Sequence, residues 1–117
     1  MQAPLRLTGR DLTIEDVVAV ARAKRPVALD GTARDRMAAS RAVIDRVVAS
    51  GESVYGVTTG FGDLADVRIS PEQTATLQRN LVRSHAAGVG ESLPEEVVRA
   101  MLVLRVNALA VGLSGVR

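Results

Sequence analysis

The chain has 117 residues, enough for one small domain or part of a larger one, and its 47% hydrophobic content comes with only 2% aromatics. A core made of Val, Leu, Ala and Ile is light, which suits a segment that completes its burial against further chain. Fifteen basic and thirteen acidic residues leave a charge of +2, interspersed and without aromatics between them, so nucleic-acid binding has little support; the lack of cysteine and the single His exclude disulfides and zinc sites.

From the N-terminus, polar and apolar residues alternate without the apolar run of a signal peptide. Leu5 to Leu7 reads as a short strand. Thr13 then caps a helix, with Asp16 at the third position as a variant capping box. Ile14, Val17, Val18 and Ala21 follow helical spacing and give one apolar stripe. Pro26 is the expected end of this helix, and Val27-Ala28-Leu29 reads as a second strand. Asp30-Gly31 or Thr32 starts the next helix, in which Met37, Ser40, Ile44 and Val47 share a face. Gly51 closes it as a C-cap residue.

The stretch Tyr55-Gly56-Val57-Thr58-Thr59-Gly60-Phe61-Gly62 follows, with the only Tyr and the only Phe of the chain. Glycines this dense allow close backbone approach, and Thr-Thr resists helix. The expectation is an ordered but pliable loop presenting a phenol. It is no phosphate cradle, because Asp63 follows the last glycine where a P-loop would carry Lys and Ser/Thr.

Ser70-Pro71-Glu72-Gln73 is a strong helix start, with Ser as cap, Pro first and Gln73 completing a capping box. The helix is expected to reach about Ala87, with Thr74, Leu77, Leu81 and Ser84 near one face and His85 in the last turn. Ser92-Leu93-Pro94-Glu95 reads as another capping box. The residues from Val97 to Leu109 are apolar around most of the helix, which calls for neighbours on most sides. Arg99, Arg105 and Asn107 interrupt this run, so it falls short of a membrane span, and Arg105 and Asn107 need partners wherever they are buried. Gly112, Ser114 and Gly115 break the helix. The expectation is a cytoplasmic, soluble chain.

Residue chemistry alone leaves the polar candidates open. Tyr55 is either a packing residue with a wet hydroxyl or an acid–base group, and His85 either caps and packs or bonds a ligand. Taken together, however, the Tyr55 loop and Asn80-Leu81-Val82-Arg83-Ser84-His85-Ala86-Ala87-Gly88-Val89-Gly90 resemble the N-terminal part of the aromatic amino acid lyase family, and within it the histidine ammonia-lyases. The similarity runs from about Leu5 to the last residue. The resemblance implies a mostly α, large helical lyase fold, with short β-strands near its N-terminus and an ordered glycine-rich loop. Residues 1–117 form a single N-terminal segment of it, ending before the triad that forms the electrophile.

By that resemblance Tyr55 is the catalytic tyrosine of a mobile loop that also contains Gly56, Thr58, Thr59, Gly60, Phe61 and Gly62, and it acts in proton transfer. Ser84 and His85 are substrate-binding, in the pair that the histidine-specific members carry. Tyrosine-selective relatives have His-Leu there, and many phenylalanine-selective ones Phe-Leu. The implied reaction eliminates ammonia from L-histidine to give trans-urocanate. It uses a 4-methylidene-imidazol-5-one made from an Ala-Ser-Gly triad, without metal, in a homotetramer whose subunits share active sites. Ala49-Ser50-Gly51 has the triad's residues but precedes Tyr55 and continues into Glu52-Ser53, so it reads as a helix end, and no cofactor-forming residue is assigned in this chain. The alternatives are a tyrosine or phenylalanine lyase or aminomutase of the same family, and a helical assembly module derived from it.

Overall fold

The computed structural model describes residues 2–116. They fall into two compact units, one made of residues 2–42 and 91–116 and the other of Val43–Gly90. The chain order is β1 (Leu5–Leu7), α1 (Ile14–Ala21), β2 (Val27–Leu29), α2 (Gly31–Ser50), α3 (Pro71–His85) and α4 (Glu95–Ala110). The chain is mostly helical, and both short strands stand where the sequence puts them. Among the described residues no helix is long and apolar enough to cross a membrane.

In the first unit β1 and β2 pair in parallel, Leu5 opposite Val27 and Leu7 opposite Leu29, with α1 as the connection. A strand alternates its side chains, so Leu5 and Leu7 go inward while Arg6 faces out. Leu5 and Leu7 form the core with Val20 of α1 and Val103 of α4, and Leu12 and Val17 pack against it. Leu7 is only 2% exposed, a burial that contributes about 1.5–3 kcal/mol.

Helix α1 begins as expected. The Thr13 hydroxyl accepts from Asp16 N–H at 3.1 Å, while the Asp16 carboxylate reaches back to Thr13 N–H at 3.4 Å. Its buried stripe differs from the expected one. Val20 and Ala21 are buried and Val17 half-buried, whereas Ile14 and Val18 are exposed. Six apolar side chains on an eight-residue helix leave two stripes open, and packing on α4 selects one. The helix also stops at Ala21, ahead of Pro26, and Lys24 takes a positive φ of 54° in the turn to β2.

The N-terminus of α2 is set by Asp30, whose carboxylate accepts from Thr32 N–H at 2.9 Å and from the Thr32 hydroxyl at 2.6 Å. These two bonds, the hydroxyl first, hold the Asp30 carboxyl below its ordinary value. Met37, Ser40, Ile44 and Val47 are half-buried, as a shared face requires.

Both later capping boxes fail to form. At α3, Ser70 is the cap residue but makes no side-chain cap bond. The Glu72 carboxyl in the first turn is held below its usual value by its own N–H and by the Ser70 hydroxyl. The α3 helix ends at His85 with Ala86 as its cap, slightly short of the expected end near Ala87. At α4, Pro94 is the cap residue, and its carbonyl accepts from Val97 and Val98 N–H at 3.0 and 3.2 Å. Because the helix starts at Glu95, that residue takes the first helical position rather than the third and Ser92 lies outside the cap, so no box can close; the Glu95 carboxylate pairs with Lys24 at 2.9 Å instead.

The end of α4 is tied by polar groups. Arg36 donates to the carbonyls of Thr8, Ala110 and Val111, gathering the last orphan acceptors of the helix. The Asn107 side chain accepts from Gly9 N–H at 3.1 Å, which is the structural role its position in an apolar helix demands. Arg105 is exposed and needs no such partner. Val103 and Ala110 are buried, but Val97, Val98, Met101, Leu102, Leu104 and Val106 are exposed.

Candidate active site

The second unit begins with the last turns of α2. Gly51 follows it at φ +67°, the C-cap expected from sequence. In this cap the Ser50 hydroxyl donates to the Val47 carbonyl at 3.1 Å, and Gly51 N–H donates to the Val48 carbonyl at 3.3 Å. Ala49-Ser50-Gly51 is therefore helix end and cap. Cyclisation of an Ala-Ser-Gly triad needs the Gly nitrogen free to attack the Ala carbonyl, and here that nitrogen is bonded within a helical turn. The triad as folded does not fit the electrophile.

From Glu52 the chain runs into a turn in which Val57 and Thr58 N–H both donate to the Val54 carbonyl at 3.0 Å. Thr58 and Thr59 are 4% and 3% exposed, and their hydroxyls hold the turn from inside. The Thr58 hydroxyl donates to the Glu52 carbonyl and accepts from Val54 N–H at 2.9 Å. The Thr59 hydroxyl accepts from Gly56 N–H at 3.2 Å and donates to the Gly60 carbonyl at 3.0 Å. The Thr-Thr pair is thus the internal scaffold of the loop, a role that its resistance to helix only hinted at.

Beyond the turn, Thr59 forms an antiparallel bridge with Arg68. Gly60 N–H donates to Val67 and Ile69 N–H to Thr58, at 3.0 and 2.8 Å. The excursion they close contains Phe61 and a short 3-10 helix at Gly62–Leu64. Two glycines are required for this path. Gly60 is buried, and a Cβ there would sit 2.5 Å from the Leu64 carbonyl oxygen; Gly56 has φ +73°.

Tyr55 stands at the outer corner of the turn, 64% exposed. Its ring meets Phe61 edge to face, with centroids 6.1 Å apart at 73°. The loop presents a phenol, as the sequence suggested, but from a backbone pinned by internal hydrogen bonds where the sequence suggested a pliable one. Gln78 of α3 reaches the Gly56 carbonyl at 3.4 Å and tethers the turn to that helix.

Helix α3 half-buries Thr74, Leu77 and Leu81, and leaves Ser84 and His85 exposed in its last turn. The imidazole folds back on the helix. His85 Nδ1 lies 2.9 Å from the Leu81 carbonyl oxygen and 3.1 Å from the Ser84 hydroxyl, which itself donates to the same carbonyl at 2.8 Å. The structure thus pairs Tyr55 with Phe61 and Ser84 with His85 inside one compact unit. Among the described residues no hydrogen bond or ring contact joins Tyr55 to His85.

Two residues escaped the sequence reading. Gln78 has no signal in sequence, because an exposed glutamine on a helix is ordinary. Arg68 lies between Val67 and Ile69 in a short alternating run that could have been read as a strand partner for the loop. With Val48, Gly51, Thr58, Ile69 and Ser70 it lines a cavity of about 340 Å³ beneath the turn. Among the described residues no cluster of His, Asp and Glu side chains could hold a metal ion.

A glycine-rich tyrosine loop ahead of a helix that ends in Ser-His defines the class, and the aromatic amino acid lyase family model matches residues 12–117. The chain belongs to that family. It is 57% identical, over 111 residues and 95% of its length, to the histidine ammonia-lyase of Caldanaerobacter subterraneus subsp. tengcongensis. The histidine ammonia-lyase structure from Trypanosoma cruzi superposes on 98% of the chain with a TM-score of 0.88 and 42% identity. The tyrosine aminomutase of Streptomyces globisporus superposes on 98% with a TM-score of 0.92 and 36% identity. The chain spans 22% of the length of each of these three proteins.

Proposed function

We propose that this chain is the N-terminal portion of a histidine ammonia-lyase, in which Tyr55 transfers a proton and His85, next to Ser84, orients the substrate imidazole. The parent reaction is elimination of ammonia from L-histidine to trans-urocanate, in a cytoplasmic homotetramer. The observation that carries the reading is the high identity, across nearly the whole chain, to a relative named for that activity. Backbone similarity does not discriminate, since the aminomutase superposes as well. The Ser84-His85 pair favours histidine over the tyrosine aminomutase alternative.

The family's methylidene-imidazolone supplies an electrophile for the substrate amine when present, and Ala49-Ser50-Gly51 does not fit its formation, so no step is derived through it. This chain's own residues do the following. The pinned turn holds the Tyr55 hydroxyl at an exposed corner, where it can take or give a proton once substrate covers it. Phe61 limits the ring's orientations. Thr58, Thr59 and the two glycines fix the backbone from which the phenol projects, while His85 offers a ring nitrogen to a polar ring. Covering such a loop excludes water and strengthens each of these interactions.

The test is substrate preference in the protein that contains this chain, followed as the absorbance of urocanate from histidine and of cinnamate from phenylalanine. His85→Leu removes a hydrogen-bond partner of the substrate ring. It should lower kcat/KM for histidine by about 10²-fold or more while improving phenylalanine in relative terms, because a site built around a polar group rejects a ligand that leaves it unpaired. An unchanged histidine-to-phenylalanine ratio would return His85 to a packing role.

A further inference from the structure

We propose that the Leu81 carbonyl and the Ser84 hydroxyl hold neutral His85 in the Nδ1–H tautomer, so that Nε2 turns a lone pair outward and the ring selects a substrate bearing a hydrogen-bond donor. Three groups share the protons that decide the tautomer. Nδ1 lies 2.9 Å from the Leu81 carbonyl oxygen, which has no proton to give, so a hydrogen bond there requires the proton on Nδ1. Ser84 has one hydroxyl proton, and at 2.8 Å it is donated to that same carbonyl. Its oxygen lone pairs are then free for Nδ1–H at 3.1 Å.

Three groups thus satisfy one another with two protons. The opposite tautomer would set the Nδ1 lone pair against carbonyl lone pairs at 2.9 Å, relieved only if Ser84 abandoned its own carbonyl. Which ring nitrogen carries the proton is set by the bond the other one makes, and here that bond lies within a single helical turn. Ser84 is therefore a positioning residue, acting on the ligand only through His85.

Nε2 is consequently an acceptor. It matches an imidazole or imidazolium N–H and leaves a phenyl ring without a partner. The choice of L-histidine as the donor rests on the function proposed above, whereas the tautomer itself does not.

The test reads the tautomer directly. The chain has one histidine, so a long-range proton–nitrogen correlation spectrum of the 15N-labelled 117-residue chain contains a single imidazole. At alkaline pH, with the ring neutral, the expected result is a protonated Nδ1 and an unprotonated Nε2. In the same sample the Ala86 amide, which donates to Val82 at 2.9 Å, should be protected from exchange and so report that the turn is formed. Ser84→Ala should raise the Nε2–H share severalfold, and Ser84→Thr should restore the original pattern. A protonated Nε2 in the unaltered chain, an unprotected Ala86 amide, or a tautomer indifferent to Ser84→Ala would overturn the proposal. Nε2–H in a protein that deaminates histidine refutes the tautomer alone. Nδ1–H in one that prefers phenylalanine refutes the substrate reading alone.

Discussion

Replacing Thr58 by Val should loosen the Tyr55 turn without disturbing its shape, because the two side chains are nearly isosteric and only the hydroxyl is lost. That hydroxyl donates to the Glu52 carbonyl and accepts from Val54 N–H, in a residue 4% exposed. Each such bond contributes about 0.5–1.5 kcal/mol net, and leaving buried partners unmet moves the cost toward the upper end. Loss of both should therefore cost about 2 kcal/mol. Since about 1.4 kcal/mol is a factor of ten, opening of the turn should become about 30-fold more frequent. The reporter is hydrogen exchange at the Ile69 amide, which donates to the Thr58 backbone carbonyl at 2.8 Å and is chemically untouched by the substitution. Thr58→Ser keeps the hydroxyl and should exchange within a few-fold of the unaltered chain. Equal Ile69 exchange in Thr58→Val and Thr58→Ser would show that the hydroxyl does not hold the turn.

Tyr55→Phe, in the protein containing this chain, should preserve substrate affinity and reduce turnover by about 10²–10⁴-fold, the usual contribution of an acid–base group; near-normal kcat would remove Tyr55 from the chemistry. The Glu95 carboxyl is held below its ordinary value of 4.5 by a hydrogen bond from Lys24 and by that residue's charge, so its stabilising contribution is complete above 4.5 and fades as pH falls through the lower, folded-state value. Lys24→Met should flatten that part of the stability profile in acid titrations of the thermal midpoint, and an unchanged profile would exclude the pair as a source. The 117-residue chain should self-associate, because α4 leaves Val97, Val98, Met101, Leu102, Leu104 and Val106 exposed; sedimentation of a monomer at high concentration would count against this.

What was legible in the sequence was what a few adjacent residues decide. Thr13 with Asp16 forms its box, Gly51 ends α2 and Tyr55 lies in a turn, because each depends on chain within a few residues. The failures are of two kinds. Ser70 has the residue type of a cap but makes no side-chain cap bond, and the last helix starts at Glu95 on a Pro94 cap, which leaves Ser92 outside it. The Glu95 carboxylate pairs with Lys24, far along the chain, which no local pattern could reveal. Likewise the stripe of α1 was ambiguous until α4 chose Val20 over Ile14.

The site divides along the same line. The family resemblance points to Tyr55 and His85, but the groups that hold each of them in place have no signature of their own. For Tyr55 those groups are the Thr58 and Thr59 hydroxyls, the tether from Gln78 and the edge of Phe61. For His85 they are a backbone carbonyl and one neighbouring hydroxyl. A carbonyl belongs to every residue and cannot be read as a motif, but its position relative to an imidazole decides whether the outward nitrogen donates or accepts. If His85 holds substrate as proposed, the choice is set by the helical turn around the histidine as much as by the histidine itself, and replacing Ser84 tests that turn while leaving the imidazole in place.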